Sequence, residues 1–420
     1  MYTTTPTRES PNIEDPFRLT TIIFGLIVYG FLSNFIISFM SKDFWKNLAA
    51  TGPISVLAPM DGYTDSPYRQ IVKKIAPDTV CFSEFYSADG LVHSKQLQQT
   101  ALAHDASEKP LIIQIFGKDP EMFRKAAILI EQAGAAGVDV NMGCPAKKVV
   151  KSGHGSSLMI NTDTAFRIIE EMSKAVSIPV SVKTRLGWKG WEEHLIPFTQ
   201  GLQNAGANLI SIHGRTYQQA FDGQADWTGI YELKKHLSIP VIGNGDVLDY
   251  NDGVKRITQP SEIGKNDNIR AKNEYRSEPY DLYGERETES LNTKIEVIPY
   301  LLDGFMIGRA SFGNPWCFLP GGYIPTLAEI LTIMHEHGKL LVECKGRKGI
   351  LESRKYLVQY LHGFAGVKEY RKSLVSIESL EDIDAVLTRI RGEHATLLGM
   401  KLVRGQEAIA EGWGSDGCGL

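Results

Sequence analysis

A TIM (β/α)8 barrel followed by a smaller all-helical domain is the α/β fold this sequence predicts, and three observations predict it. Short Val/Ile-rich runs alternate with longer helical stretches eight times between Pro53 and Ala310. Most of the runs are continuously apolar rather than alternating, as parallel strands covered on both faces are. Beyond "GNPWCF" the alternation stops and only helical patterns follow. Eight β-α alternations favour a closed barrel over an open doubly wound sheet.

The first four runs are "PISVLAPM" (53–60), "TVCFSEF" (79–85), "LIIQIFG" (111–117) and "GVDVNMGCP" (137–145). The remaining four are "PVSVKTRLG" (179–187), "LISIHGRT" (209–216), "PVIGNGDV" (240–247) and "GFMIGRA" (304–310). Stretches such as "DPEMFRKAAILIEQAGA" and "NTDTAFRIIEEMSKAV" lie between them, opening on an Asp or Asn cap and several closing at glycine. One interval breaks the rhythm. From Asp249 to Asn292 the chain is polar, which reads as a short helix and then a surface insertion at about 259–292. The expected division is an extension over 1–40, a barrel over 41–320, a helical domain over 321–398 and a flexible tail over 399–420.

The amino terminus stands apart. Leu19 to Met40, "LTTIIFGLIVYGFLSNFIISFM", is 22 residues without a charge, long enough to cross a bilayer as a helix. It lacks a small-residue cleavage pattern. It is either a single membrane anchor or upstream sequence ahead of a working start at Met40, and the second reading is preferred. A cytoplasmic location follows from that reading, and a membrane-anchored one from the other.

Composition narrows the function classes. With 420 residues, 43% hydrophobic and 22% charged, the chain is an ordinary globular one. A net charge of −4 gives the whole surface no strong pull on a polyanion, so nucleic-acid contact requires a local patch. One exists: Lys339–Lys372 holds nine Lys/Arg against three Glu. The five cysteines form no CxxC pair, which argues against a zinc site or a disulfide framework and for a reducing compartment. Cys81, Cys317 and Cys344 are read as packing residues. "HEHG" (335–338) lacks the spacing of a metal motif, and no metal is expected.

The polar residues of the barrel cluster late in their strands: Met60, Gln114, Asn141 with Cys144, Lys183 with Arg185, His213 with Arg215, Asn244 with Asp246, and Arg309. Carboxyl ends converge on one face of a barrel, where active sites are built. "IGNGD" and "MIGRA" place glycine where backbone must approach a ligand, and Arg309 supplies a fork suited to phosphate. A phosphorylated cofactor or substrate is therefore expected. Cys144, between a glycine and a proline, suits a nucleophile, a metal ligand or a general acid.

"LAPMDGYTDSPYR", "NMGCPAKKV", "VKTRLGW", "SIHGRTYQQAFDGQADW", "IGNGDV" and "MIGRASFGNPW" together resemble the tRNA-dihydrouridine synthase family, nearest its bacterial branch. The resemblance runs from Pro53 to Lys372 in one order, interrupted by the 249–292 interval. It implies an FMN-dependent oxidoreductase that reduces the C5–C6 double bond of uridines in tRNA, with NADPH or NADH as electron donor. On that basis Ala58, Pro59 and Met60 line the flavin ring and Gln114 bonds its polar edge. Lys183 and His213 contact the flavin and its chain; Asn244, Gly245, Asp246, Gly308 and Arg309 hold the phosphate end. Cys144 becomes the general acid at C5, and Asn141 a contact to the uracil edge. The helical region becomes a tRNA-binding domain, and the expected state is a monomer. The alternative is another FMN-dependent barrel oxidoreductase acting on a free pyrimidine, for which the basic helical region has no use.

Overall fold

A computed structural model describes residues 41–258 and 300–404. The apolar segment 19–40, the insertion 259–292 and residues 405–420 of the tail lie outside the described residues. Eight parallel strands close into a barrel in sequence order: β1 (Ile54–Leu57), β2 (Val80–Ser87), β3 (Leu111–Phe116), β4 (Gly137–Asn141), β5 (Val180–Arg185), β6 (Leu209–His213), β7 (Val241–Asn244) and β8 (Gly304–Ile307). The closure is β8 on β1, with Val56 opposite Met306. All eight expected strands form, and all lie in their expected positions.

Local chemistry starts the helices as read. Asp119 accepts the Glu121 N–H at 2.9 Å and Asn161 the Thr164 N–H at 3.4 Å, opening Pro120–Gln132 and Thr162–Ala175. Each then buries an apolar stripe, for example Phe123, Ala126, Ala127 and Ile130, against the outside of the barrel.

Inside the barrel, residues two apart share a face. The lower layers are apolar: Ile54, Val56, Val80, Phe82, Ile112, Leu209, Ile242 and Met306 form one cluster. Its floor is the short helix Phe44–Ala49, whose Phe44 and Trp45 are almost fully buried in that cluster. The stretch "SKDFWKNL", unremarkable as an amino-terminal lead-in, is thus the plug of the barrel's amino end. Among the described residues no helix is long and apolar enough to cross a membrane.

Among the described residues after Pro325 are four α-helices, Leu327–Lys345, Arg347–Tyr360, Val367–Leu374 and Leu380–Glu393. The first opens on a capping box between Thr326 and Glu329. Their core includes Ile71 of the barrel helix Ser66–Ile75, so it is continuous with the barrel's outer layer. At that seam Lys345 bridges Asp65 and Glu352, both at 2.5 Å, and His337 meets the Tyr360 hydroxyl at 3.1 Å. Tyr356 donates to the carbonyl of Gly62 at 2.9 Å, and Lys355 lies over the Tyr63 ring. The helical region therefore grips the loop after β1.

Two expectations need correction. Cys344 is exposed rather than packed, because its helix turns that position outward; Cys81 and Cys317 are buried as expected. The basic excess is only partly a surface. Lys345 is ion-paired at the seam, Arg354 donates to Ile377 O and Arg371 to Leu361 O, whereas Lys339, Arg347, Lys348, Lys368 and Lys372 are exposed.

Candidate active site at the barrel mouth

The strand register sets the polar tier. Gln114 pairs with Asp139, Asn141 with Lys183, Arg185 with His213, and His213 with Asn244. A bulge in β2 between Phe82 and Phe85 breaks the ladder there, and the Ser83 hydroxyl takes the Gln114 N–H at 3.0 Å instead.

On one side of the mouth, buried amides run upward toward Cys144. Gln114 Nε2 donates to Asp139 Oδ2 at 2.7 Å, and Asn141 Nδ2 donates to Gln114 Oε1 at 2.9 Å. Asn141 Oδ1 then accepts the N–H of Gly143 at 3.1 Å and of Cys144 at 3.0 Å. Arg185 Nε donates to Gly143 O at 2.7 Å while its Nη1 donates to Thr216 O at 3.1 Å and Ala220 O at 2.6 Å. From the other side the Ser156 N–H donates to Cys144 O at 3.2 Å. Cys144 is only 8% exposed, and its backbone is held on both sides of the thiol.

Opposite, Lys183 Nζ donates to Asn244 Oδ1 at 3.1 Å, and Asn244 Nδ2 donates to Met306 O at 2.9 Å. Desolvation lowers the Lys183 ammonium to about 8, with Arg185 adding repulsion and Asp139 and Cys144 opposing it. His213 is pushed well below the usual imidazole range, first by burial and then by Arg185, Lys183, Arg215 and Arg309. It is therefore neutral at pH 7. Burial raises Asp139 to about 6 against the hydrogen bonds from Ser181 and Gln114.

The third part is an arginine cluster at the tips of β6, β7 and β8. Arg215 Nη2 bridges both Asp246 oxygens at 2.8 and 2.9 Å, and Asp246 Oδ2 also takes the Ala225 N–H at 2.7 Å. Arg309 lies 3.8 Å from Asp246, and Arg185 and Arg309 both lie over the Phe221 ring. The Asp246 carboxylate is thus engaged by Arg215. Arg215 is itself buried and also donates to Asp222 O and Gly223 O, so the more exposed Arg309 is the arginine that an anion would meet. Gly245 has φ +119°, and a Cβ there would come within 2.7 Å of Ala225 Cβ. At Gly308 a Cβ would enter space 3.7 Å from Ala58 Cβ and Met60 Sδ. Met60 is held by its N–H to Thr64 Oγ1 at 3.0 Å, and Pro59 lies between Ala58 and Met60 on the same loop.

The expected residues therefore gather on one face: Ala58, Pro59 and Met60 after β1, Gln114, Asn141 and Cys144, Lys183, His213, Asn244 to Asp246, and Gly308 with Arg309. Sequence reasoning passed over Asp139, although a carboxylate inside a β-branched run is itself a signal. Arg185 and Arg215 were noticed as strand-tip residues, but nothing in the sequence told which carbonyls and carboxylate they bind.

Fold and site together define a (β/α)8 barrel whose polar groups converge at its carboxyl face, the arrangement of a barrel enzyme. Residues 56–264 match the family model "Dihydrouridine synthase (Dus)". A "Probable tRNA-dihydrouridine synthase 1" of Synechocystis sp. is 34% identical over 77% of this chain and 82% of its own length. A "tRNA-dihydrouridine synthase B" of Pseudomonas aeruginosa is 29% identical over 80% of this chain and 91% of its own. A "Probable tRNA-dihydrouridine synthase" of Staphylococcus aureus is 30% identical over 84% and 97%. The chain belongs to the dihydrouridine synthase family.

Proposed function

We propose that the chain is a tRNA-dihydrouridine synthase, an oxidoreductase that reduces the C5–C6 double bond of uridines in tRNA with FMN and NADPH or NADH. The observation that carries this is Cys144 at the tip of β4, its backbone clamped by Asn141, Arg185 and Ser156, in one ring with Gln114, Lys183 and His213.

The mouth fits a flavin mononucleotide by its donor set. Arg215, Arg309 and Lys183 bring positive charge to the strand tips, as a phosphate needs. Gly245 keeps backbone close where a side chain would collide, and Gly308 leaves open the space beside Ala58 and Met60. Gln114 would bond the polar edge of the ring, Asn244 would help to hold the phosphate end, and neutral His213 would offer a hydrogen bond without another fixed charge. Bound there, the flavin would supply the hydride for C6 of the uracil ring.

The chain's own work is positioning and proton transfer. Cys144 Sγ holds the proton that C5 takes as C6 is reduced, and the thiolate left behind recovers a proton from water. Lys183, still cationic at neutral pH, steadies that thiolate. Asn141, three residues from Cys144, would bond the uracil edge. The target base must leave the RNA stack to reach the mouth. The exposed Lys339, Arg347, Lys348, Lys368 and Lys372 would meet the tRNA backbone.

The test is dihydrouridine content in unmodified tRNA after incubation with NADPH and the chain, with Cys144→Ala in parallel. Product from the parent and strong loss in the variant are expected. Equal product from both would remove Cys144 from its role, and flavin-loaded protein that makes none would overturn the substrate.

A further inference from the structure

The amide chain beneath Cys144 has two ends, and both are chemically fixed. At the upper end, two backbone N–H groups, of Gly143 and Cys144, can only donate. At the lower end the Asp139 oxygens accept from Ser181 Oγ at 2.6 Å and Gln114 Nε2 at 2.7 Å. An ionised carboxylate can only accept. Gln114 and Asn141 stand between them. A side-chain amide is nearly symmetric in shape, so its orientation is set by its partners. Only one polarity satisfies this chain. Reversed, Asn141 would turn its NH2 against two N–H donors, and Gln114 would turn its carbonyl against a carboxylate.

We propose that Asp139 is a positioning residue: its carboxylate fixes the polarity of Gln114 and Asn141 and so locks the backbone that presents Cys144. Its importance for turnover rests on Cys144 being the proton donor, but the mechanical claim does not. Asp139 is fully buried on β4 and reaches the mouth through the two amides and through its charge on Lys183. Its value of about 6 leaves it ionised, and so acceptor-only, at neutral pH. Ser181 braces the carboxylate from below without touching either amide. Asparagine at this position would keep the shape but could offer either an oxygen or an NH2 to Gln114, and the polarity would be held from the upper end alone.

The test reads the backbone lock directly. The full chain is labelled with iodoacetamide at pH 7.5, without tRNA or reductant, and the Cys144 peptide is followed by mass. Asp139→Asn should speed Cys144 labelling on the order of tenfold, the scale of one lost hydrogen bond. Asn141→Ala should speed it at least as much. The double variant should be no faster than Asn141→Ala alone, because Asp139 acts through Asn141. Ser181→Ala should stay within about twofold of the parent, since the acceptor for Gln114 remains. If Asp139→Asn does not fold, Gln114→Met cuts the same chain one link higher and should give the same rise. Parent-like labelling in Asp139→Asn would overturn the proposal. So would an equal rise in the Asn141→Ala background, which is the mark of general loosening. Parent protein that makes no dihydrouridine would sink the functional reading and leave this result standing.

Discussion

The titration of Asp139 has a measurable cost in stability. Burial raises its carboxyl from the ordinary 3.8 to about 6, so the folded chain holds that proton more tightly than the unfolded chain does. Between the two values the native state binds more protons, and stability falls as pH rises. The contribution is present in full below about pH 4 and is lost as pH rises through about 6. The gap corresponds to ~3 kcal/mol. Asp139→Asn cannot titrate, so its melting temperature should lack this component. The parent minus the variant should therefore decline by ~3 kcal/mol between pH 3 and 7, several degrees in Tm for a chain of this size. The assay is thermal melting of both chains in half-unit pH steps, read as a difference so that shared titrations cancel. A flat difference would mean that Asp139 is already ionised in the fold at pH 4. A rising difference would mean that the hydrogen bonds from Ser181 and Gln114 outweigh its burial. Either result would refute the reasoning.

Four further outcomes are expected. Arg185→Lys keeps the charge but cannot reach Gly143, Thr216 and Ala220 together, so urea unfolding should show a loss of ~3 kcal/mol; a loss well under 1 kcal/mol would contradict the three hydrogen bonds. Gly245→Ala must adopt φ +119° against Ala225, with a strain of ~1–3 kcal/mol, and the protein should be purified with less flavin absorbance. Trp45→Ala opens the barrel floor and should destabilise by ~3–5 kcal/mol in denaturant, with no change in flavin affinity beyond that loss. Tyr356→Phe removes the bond to Gly62 O and should cost ~1 kcal/mol, visible as a lower thermal midpoint.

The barrel was legible because strands covered on both faces must be apolar almost throughout, and glycine and capping residues punctuate them. That constraint located all eight strands and the tips where polarity breaks through. The partnerships at those tips were not legible. Asp139 and Gln114 come from strands whose register fixes their contact, and register is a property of the closed barrel rather than of either run. Arg185 reads in sequence only as a polar residue late in its strand, and its fork is occupied by three carbonyls of its own chain. The floor helix was missed for a simpler reason. Six residues with two aromatics carry no periodicity, and only the open end of the barrel reveals what they fill.

The seam between Tyr356 and Gly62 bears on how the molecule can be taken apart. Gly62 lies two residues past Met60, so the loop expected to line the flavin leans on a helix that the tRNA-binding reading assigns to the substrate. Cutting the chain at Pro325 would strip Lys345 from Asp65 and Tyr356 from Gly62 together. A truncated barrel that lost activity would then have two injuries, one to its grip on RNA and one to its own wall. Charge reversal at Arg347 and Lys368, which lie outside those contacts, separates them. The two regions divide readily in sequence, but Gly62, Tyr63 and Asp65 tie the wall of the barrel to the helices, so removing one region alters the other.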